Sequence, residues 1–187
     1  MNLQVKPGSR ILALATSPFS HSSKSAKVFG VIGRQGIIEG MLSFNVAVDG
    51  SDSTYCISRS LLRSRFAEQV KVIAVNGNTL AGMNLIDTDE LQNTTNSNFI
   101  SITRKKPRFS ELENALKKAK LLTQKRHELL EFATKNMQIS KVNGYYLCAM
   151  KKSSKTMTKF VTDAVVLLRI AHMAASASAK GESTGRI

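Results

Sequence analysis

RILALATSP (residues 10–18), followed by VFGVI (28–32), the break GRQG (33–36) and IIEGMLSFNVAV (37–48), is the stretch on which the fold turns. Residues 10–14 form a short apolar run closed by Thr16, Ser17 and Pro18, the pattern of a strand ending in a turn. Residues 28–32 read as a second strand, and in the third Phe44, Val46 and Val48 fall on one face. The link between the last two is short, which predicts a meander of antiparallel strands. Residues 20–27, with four serines and two lysines, read as a polar loop between the first two strands.

Beyond the third strand the pattern changes. Asp49-Gly50-Ser51-Asp52-Ser53-Thr54 offers several helix caps, and Ile57, Leu61, Leu62 and Phe66 repeat at helical spacing, predicting a helix over 53–67. Val70 to Val75 reads as a compact buried strand ended by Asn76-Gly77-Asn78, and Phe99 to Thr103 as another. Ser110 and Glu113 suggest a capping box opening a helix with Leu112, Ala115, Leu116 and Ala119 as its apolar stripe. A short helix around 129–133, a last strand at 145–150 and a helical region over 158–179 complete the order. The expectation is a single α/β domain over residues 1–187, a sheet of mixed strand direction with helices on its faces.

The composition bounds the chemistry. Twenty-seven Lys and Arg against 13 Asp and Glu give a net charge of +14 over 187 residues, favouring anionic partners. Half of that excess lies in residues 101–126, where nine basic residues meet only Glu111 and Glu113. Arg104, Lys105, Lys106, Arg108, Lys117, Lys118 and Lys120 are the candidate nucleic-acid contacts, with Lys151, Lys152, Lys155 and Lys159 as a possible extension. A solvated helix face is the competing reading of the same run. With no Trp and only Phe109 inside it, a stacking platform for single strands is not indicated. Cys56 and Cys148 are too few for a disulfide framework or a zinc cluster. No apolar run of bilayer length and no secretory signal is read, so the expectation is a cytoplasmic protein without a membrane partner.

Motifs for nucleophilic catalysis and for phosphate-binding loops are absent: there is no Gly-x-Ser-x-Gly elbow and no Gly-rich loop ahead of a Lys-Ser or Lys-Thr pair. The remaining candidates are carboxylates at strand ends. Asp49 and Asp52 follow the third strand and Asp87 lies beyond the fourth, where nucleases gather acids to hold two divalent metals. Both of the first two are also good helix caps. His21 and His127 sit in polar surroundings, and His172 in an apolar helix reads either as a boundary residue or as a ligand.

Several segments together resemble a known family. Leu168-Arg169-Ile170-Ala171-His172-Met173-Ala174-Ala175-Ser176 with Gly181-Glu182-Ser183-Thr184-Gly185-Arg186 is similar to the closing signature of the archaeal "domain of unknown function ninety-nine" family. Val48 to Thr54, Asn76 to Asp87 and Arg104-Lys105-Lys106-Pro107 match it in the same order. That family is regarded as similar to endonuclease V, which implies a ribonuclease-H-like fold and a metal-dependent endonuclease ancestry with magnesium or manganese as cofactor. The resemblance also shows departures. Family members read Gly-Ile-Asp-Asp-Gly-Pro-Phe where this chain has Ala13-Leu14-Ala15-Thr16-Ser17-Pro18-Phe19, and Leu-Asp-Gly where it has Val75-Asn76-Gly77. Ala15, Thr16 and Asn76 thus replace three acids. Asp49 and Asp87 remain as candidate metal ligands, with Asn76 and His172 as candidate catalytic neighbours. The resulting expectation is a nucleic-acid-binding module, DNA or RNA, whose metal-nuclease site is degenerate and whose cleavage is absent or weak. The alternatives are an active magnesium- or manganese-dependent endonuclease and a basic protein-interaction module.

Overall fold

The opening run is β1 (Arg10–Thr16), and Ile11, Leu12, Ala13 and Leu14 are each at most 1% exposed. A continuous apolar strand of this kind belongs in the middle of a sheet covered on both faces. It pairs antiparallel with β2 (Ser25–Arg34), which pairs antiparallel with β3 (Ile37–Ala47), as the sequence predicts. β2 starts three residues earlier than expected, because Ser25, Ala26 and Lys27 pair with Ala47, Val46 and Asn45 and shorten the serine-rich loop. In the computed structural model the described residues are 5–183 except Pro7 and His21. The reading of His21, of residues 1–4 and of 184–187 at the end of the family-like tail therefore falls outside them.

On the other side of β1 lie β4 (Val70–Val75) and β7 (Asn98–Thr103), with β1, β4 and β7 mutually parallel. Between β4 and β7 come a small hairpin, β5 (Thr79–Leu80) and β6 (Asn84–Leu85), and helix α2 (Thr88–Thr95). The sheet closes with β9 (Tyr145–Met150) and β8 (Met137–Val142), both antiparallel to their neighbours, giving the order β3-β2-β1-β4-β7-β9-β8. β8, with its polar alternates, and the two-residue strands were not legible in the sequence pattern.

Alternate residues of the parallel strands feed two cores. Leu12, Leu14, Ile73, Val75 and Phe99 face one side with Ile57 and Leu61 of α1 (Ser53–Leu62). Ile11, Ala13, Val72, Ala74 and Ile100 face the other with Val161, Ala164, Leu167, Leu168 and Ala171 of α6 (Val161–Lys180). The period-two alternation of strands thus produces three layers. A third, smaller cluster of Leu85, Leu116 and Leu130 joins the hairpin to α3 (Phe109–Lys118) and α4 (Gln124–Asn136).

Three local expectations are corrected. α1 ends at Leu62 instead of running to residue 67, and Phe66 enters the core from the following turn. The Ser110–Glu113 capping box does not form: α3 begins at Phe109 behind Arg108, because Phe109 packs with the cluster around Leu116. The run Ser154–Lys180, made of α5 (Ser154–Met157), a 3-10 turn (Thr158–Phe160) and α6, is long and apolar enough to cross a membrane, with mean hydropathy 1.4. Half of its apolar window is buried within the fold, where its residues form the second core.

Candidate functional site

Because β1 and β4 are parallel and Leu14 lies level with Val75, the residues after them emerge side by side at one edge of the sheet. In open α/β sheets the crevice beyond the carboxyl ends of the strands is the usual binding place. Here it holds a cavity of about 240 Å³ lined by Ala15, Thr16, Phe19, Asn76, Thr79 and Gly82, among others. His172 and Leu168 of α6 complete the wall. Asn76 and His172, far apart in sequence, are therefore brought to one site together with Ala15 and Thr16, so all three residues that stand in place of acids meet there.

The three strand-end carboxylates are not among the residues that line this cavity. Asp49, in a left-handed conformation at φ 54°, accepts a 2.7 Å hydrogen bond from the Met83 N–H, while its own N–H donates to the Ala81 carbonyl at 3.0 Å. Its carboxylate is a bracket for the 81–83 turn. The Ala81 N–H also donates to Thr16 Oγ1 at 3.2 Å, so the same turn is held from both strands. Asp52 precedes α1 but makes no side-chain cap to it. It receives the Ala47 N–H at 3.1 and 3.2 Å and the Asn84 amide at 2.7 Å. Asp87 caps α2, accepting the Glu90 N–H at 3.0 Å, and lines a different cavity. The candidate set Asp49, Asn76, Asp87 and His172 thus divides among three places, because each aspartate is committed to a backbone donor of its own, Asp49 to the distant Met83 N–H and Asp87 to the nearby Glu90 N–H.

Among the described residues, no group of three or more His, Cys, Asp or Glu side chains is placed to hold a metal ion. The polar groups lining the main cavity are the amide of Asn76, the hydroxyls of Thr16 and Thr79 and the imidazole of His172, with no carboxylate among them. Magnesium and manganese are hard cations that favour several oxygen ligands including carboxylates. The cavity residues do not fit them. Neither cysteine supplies a nucleophile: burial, then the Asp52 charge, then a hydrogen bond to Asp52 push the Cys56 thiol up to about 11, and burial pushes Cys148 to about 12.

β7 is parallel to β1 and β4, so the basic run that follows it leaves from the same edge as the cavity. Adjacent strands lie about 4.8 Å apart, which puts the start of Arg104–Arg108 about one strand spacing from the Asn76 strand. Arg104, Lys105, Lys106, Arg108, Lys117, Lys118 and Lys120 are all exposed. Arg108 pairs with Glu111 at 2.5 Å and Lys117 with Glu113 at 2.7 Å, both surface pairs of small energetic value. Among the described residues Arg104, Lys105, Lys106, Lys118 and Lys120 form no ion pair. Arg126, counted with this run in the sequence, is 5% exposed and belongs to the interior.

The family model described as "Endonuclease dU" matches residues 7–179. The chain belongs to the endonuclease dU family. A UPF0215 protein of Pyrococcus furiosus is 32% identical over 190 residues, 97% of each chain, and one of Archaeoglobus fulgidus is 28% identical over 89% of this chain and 93% of its own. The crystal structure of an Archaeoglobus fulgidus protein of unknown function superposes with a TM-score of 0.78 at 28% identity, covering 90% of this chain and 97% of that one. Human endonuclease V aligns at a TM-score of 0.53 and 13% identity over 90% of this chain and 83% of its own. At that identity the likeness establishes the ribonuclease-H-like fold, the one the sequence resemblance implied.

Two parts of the site escaped the sequence reading. Phe19 and Gly82 line the cavity from loops and Thr79 from the two-residue β5, segments without a residue pattern of their own. Arg126 carried a usable signal, since 126, 130 and 133 fall on one helical face and Leu130 and Ala133 are buried with it.

Proposed function

We propose that this protein binds nucleic acid along the carboxyl edge of its sheet, with Arg104, Lys105, Lys106 and Lys118 contacting phosphates, and that it is not a two-metal nuclease. The observation that carries the reading is the combination on one sheet edge: an exposed basic loop leaving β7 beside a cavity walled by Ala15, Thr16, Asn76 and His172. A phosphodiester backbone needs cations and hydrogen-bond donors, which this edge has; cutting it by metal chemistry needs clustered carboxylates, which the cavity does not offer.

The test is fluorescence anisotropy with single- and double-stranded DNA and RNA across a salt series. Binding is expected without magnesium, and log affinity should fall with log salt by about 0.7 to 0.9 per phosphate contact. The double variant Lys105→Glu, Lys106→Glu should flatten that slope by about two contacts. Negligible binding to all four substrates at about 50 mM salt, where phosphate contacts are strong, overturns the proposal.

A second reading, metal-dependent cleavage, is favoured by the family to which the chain belongs. It predicts substrate cut in magnesium or manganese by the wild type and lost in Asn76→Ala or His172→Ala. Intact substrate throughout, with binding retained, leaves the first reading standing and removes the second.

A further inference from the structure

A second cavity, of about 170 Å³, lies by the starts of α1, α2 and α4 and is lined by Ser51, Thr54, Thr123, Lys125 and Arg126 together with Asp87 and Glu90. We propose that it is an anion site taking one singly charged phosphate group.

The decisive residue is Arg126. It is 5% exposed, and its guanidinium donates to the Leu121 carbonyl at 2.5 Å and to the Asp49 and Gly50 carbonyls at 2.5 and 2.6 Å. Its buried Nε has no hydrogen-bond partner, and among the described residues no carboxylate pairs with it. A buried cation held by neutral carbonyls alone is poorly compensated, and an anion beside it restores the balance.

The helix starts point the same way. α1 and α4 carry no acidic residue in their first turns, unlike α2; the Ser53 N–H of α1 is taken by Asn84 Oδ1 and the Arg126 N–H of α4 by Thr123 Oγ1, and the partial positive charge of the α4 start meets no carboxylate of its own first turn. Lys125 stands in the first turn of α4, and the hydroxyls of Ser51, Thr54 and Thr123 are on the same walls. Each helix start carries about half a positive charge. Among the lining side chains Lys125 and Arg126 balance Asp87 and Glu90, and Asp52 and Asp89 stand at the α1 and α2 starts, so the excess is the roughly half charge of the α4 start, which suits a monoanion better than a dianion. Size narrows the ligand further: 170 Å³ is below the roughly 300 to 1,000 Å³ of pockets for drug-sized molecules, so a phosphate group fits and a whole nucleotide does not.

That group has two sources. As a backbone phosphodiester it deepens, and rests on, the nucleic-acid reading above; as free phosphate it stands without it. The experiment is isothermal titration calorimetry of the full chain with inorganic phosphate and with dimethyl phosphate, alongside oligonucleotide anisotropy, on wild type, Lys125→Glu and Glu90→Gln. Lys125→Gln provides a second variant if Lys125→Glu fails to fold by circular dichroism, and Arg63→Glu, at an exposed residue beyond the far end of α1 and outside both sites, controls for net charge. Wild-type Kd values of about 1 mM or tighter are expected, weakened about tenfold or more by Lys125→Glu and tightened several-fold by Glu90→Gln. Arg63→Glu should leave phosphate affinity unchanged. If oligonucleotide affinity falls in Lys125→Glu beyond the Arg63→Glu control, the source is the backbone; if it matches that control while phosphate binding is lost, the source is free phosphate. No phosphate binding by the wild type at about 50 mM ligand, or equal binding by the Lys125 variants, overturns the inference. Oligonucleotide binding that survives that result leaves the proposed function intact, whereas phosphate binding without oligonucleotide binding overturns the proposed function alone.

Discussion

Replacing Asn84 by alanine should loosen both cavities' shared support by a measurable amount. Asn84 is fully buried on β6; its Oδ1 accepts the Ser53 N–H at 3.1 Å, and its amide donates to the Ala47 carbonyl at 2.8 Å and to Asp52 Oδ1 at 2.7 Å. The alanine variant leaves the first N–H of α1 without a partner in the interior, a cost of about 1 to 3 kcal/mol. It also removes the charge-assisted bond to Asp52, about 1.5 to 3 kcal/mol. The Ala47 carbonyl keeps the Gly50 N–H at 3.3 Å and adds little. A total of about 3 to 5 kcal/mol is a large share of the roughly 5 to 15 kcal/mol that holds a domain together. With no tryptophan, far-UV circular dichroism in urea is the suitable readout. At a slope of about 2 kcal/mol per molar the midpoint should fall by about 2 M.

Asn84→Asp separates this account from a simple packing defect. It keeps an acceptor for Ser53 but sets a carboxylate where an amide now lies 2.7 Å from Asp52. Like charges so close force one pKa upward in the folded state. Stability from the shared proton is then fully present below the ordinary carboxylate pKa and lost as pH rises through the elevated one. The deficit relative to wild type should therefore be large at pH 7 and shrink toward pH 4. An Asn84→Ala loss under about 1 kcal/mol, or an Asn84→Asp deficit independent of pH, would refute the reasoning.

Three further outcomes follow from single contacts. Gly82→Ala must adopt a φ of +84° and bring its Cβ against Asp49 Oδ1, so it should destabilise by more than about 1 kcal/mol; an unchanged melting temperature contradicts this. Cys56, with its thiol pushed from 9.0 to about 11 by burial and then by Asp52, should react with iodoacetamide at pH 8 about a hundredfold more slowly than an ordinary thiol, and a free-cysteine rate would contradict that burial and the Asp52 contact together. Glu113 is held below its ordinary value of 4.5, chiefly by its hydrogen bond with Lys117. The stability it contributes is present above pH 4.5 and fades as pH falls through the lowered value, so Glu113→Gln should flatten that part of the pH profile. Equal acid sensitivity in wild type and Glu113→Gln counts against it.

What the sequence determined by itself was the order of the main strands and the covered sheet. Ile11 to Leu14 and Val70 to Val75 are apolar without alternation, so they demand burial on both faces wherever they lie. The basic exit from β7 was equally plain, since charge needs no neighbour to be recognised. Weak local patterns hid the rest of the secondary structure: α2 has Leu91 as its single large apolar residue, and β5 and β6 are two residues each. The roles of polar residues were decided only by tertiary structure. Asp49 looks like a metal ligand until a distant Met83 N–H claims its carboxylate, and Arg126 looks like surface charge until Asp49 and Gly50 carbonyls enclose it. A hydrogen bond commits a side chain to one partner at about 3 Å. Which partner stands there depends on turns separated by 34 residues in the first case and 77 in the second, a distance local sequence does not encode.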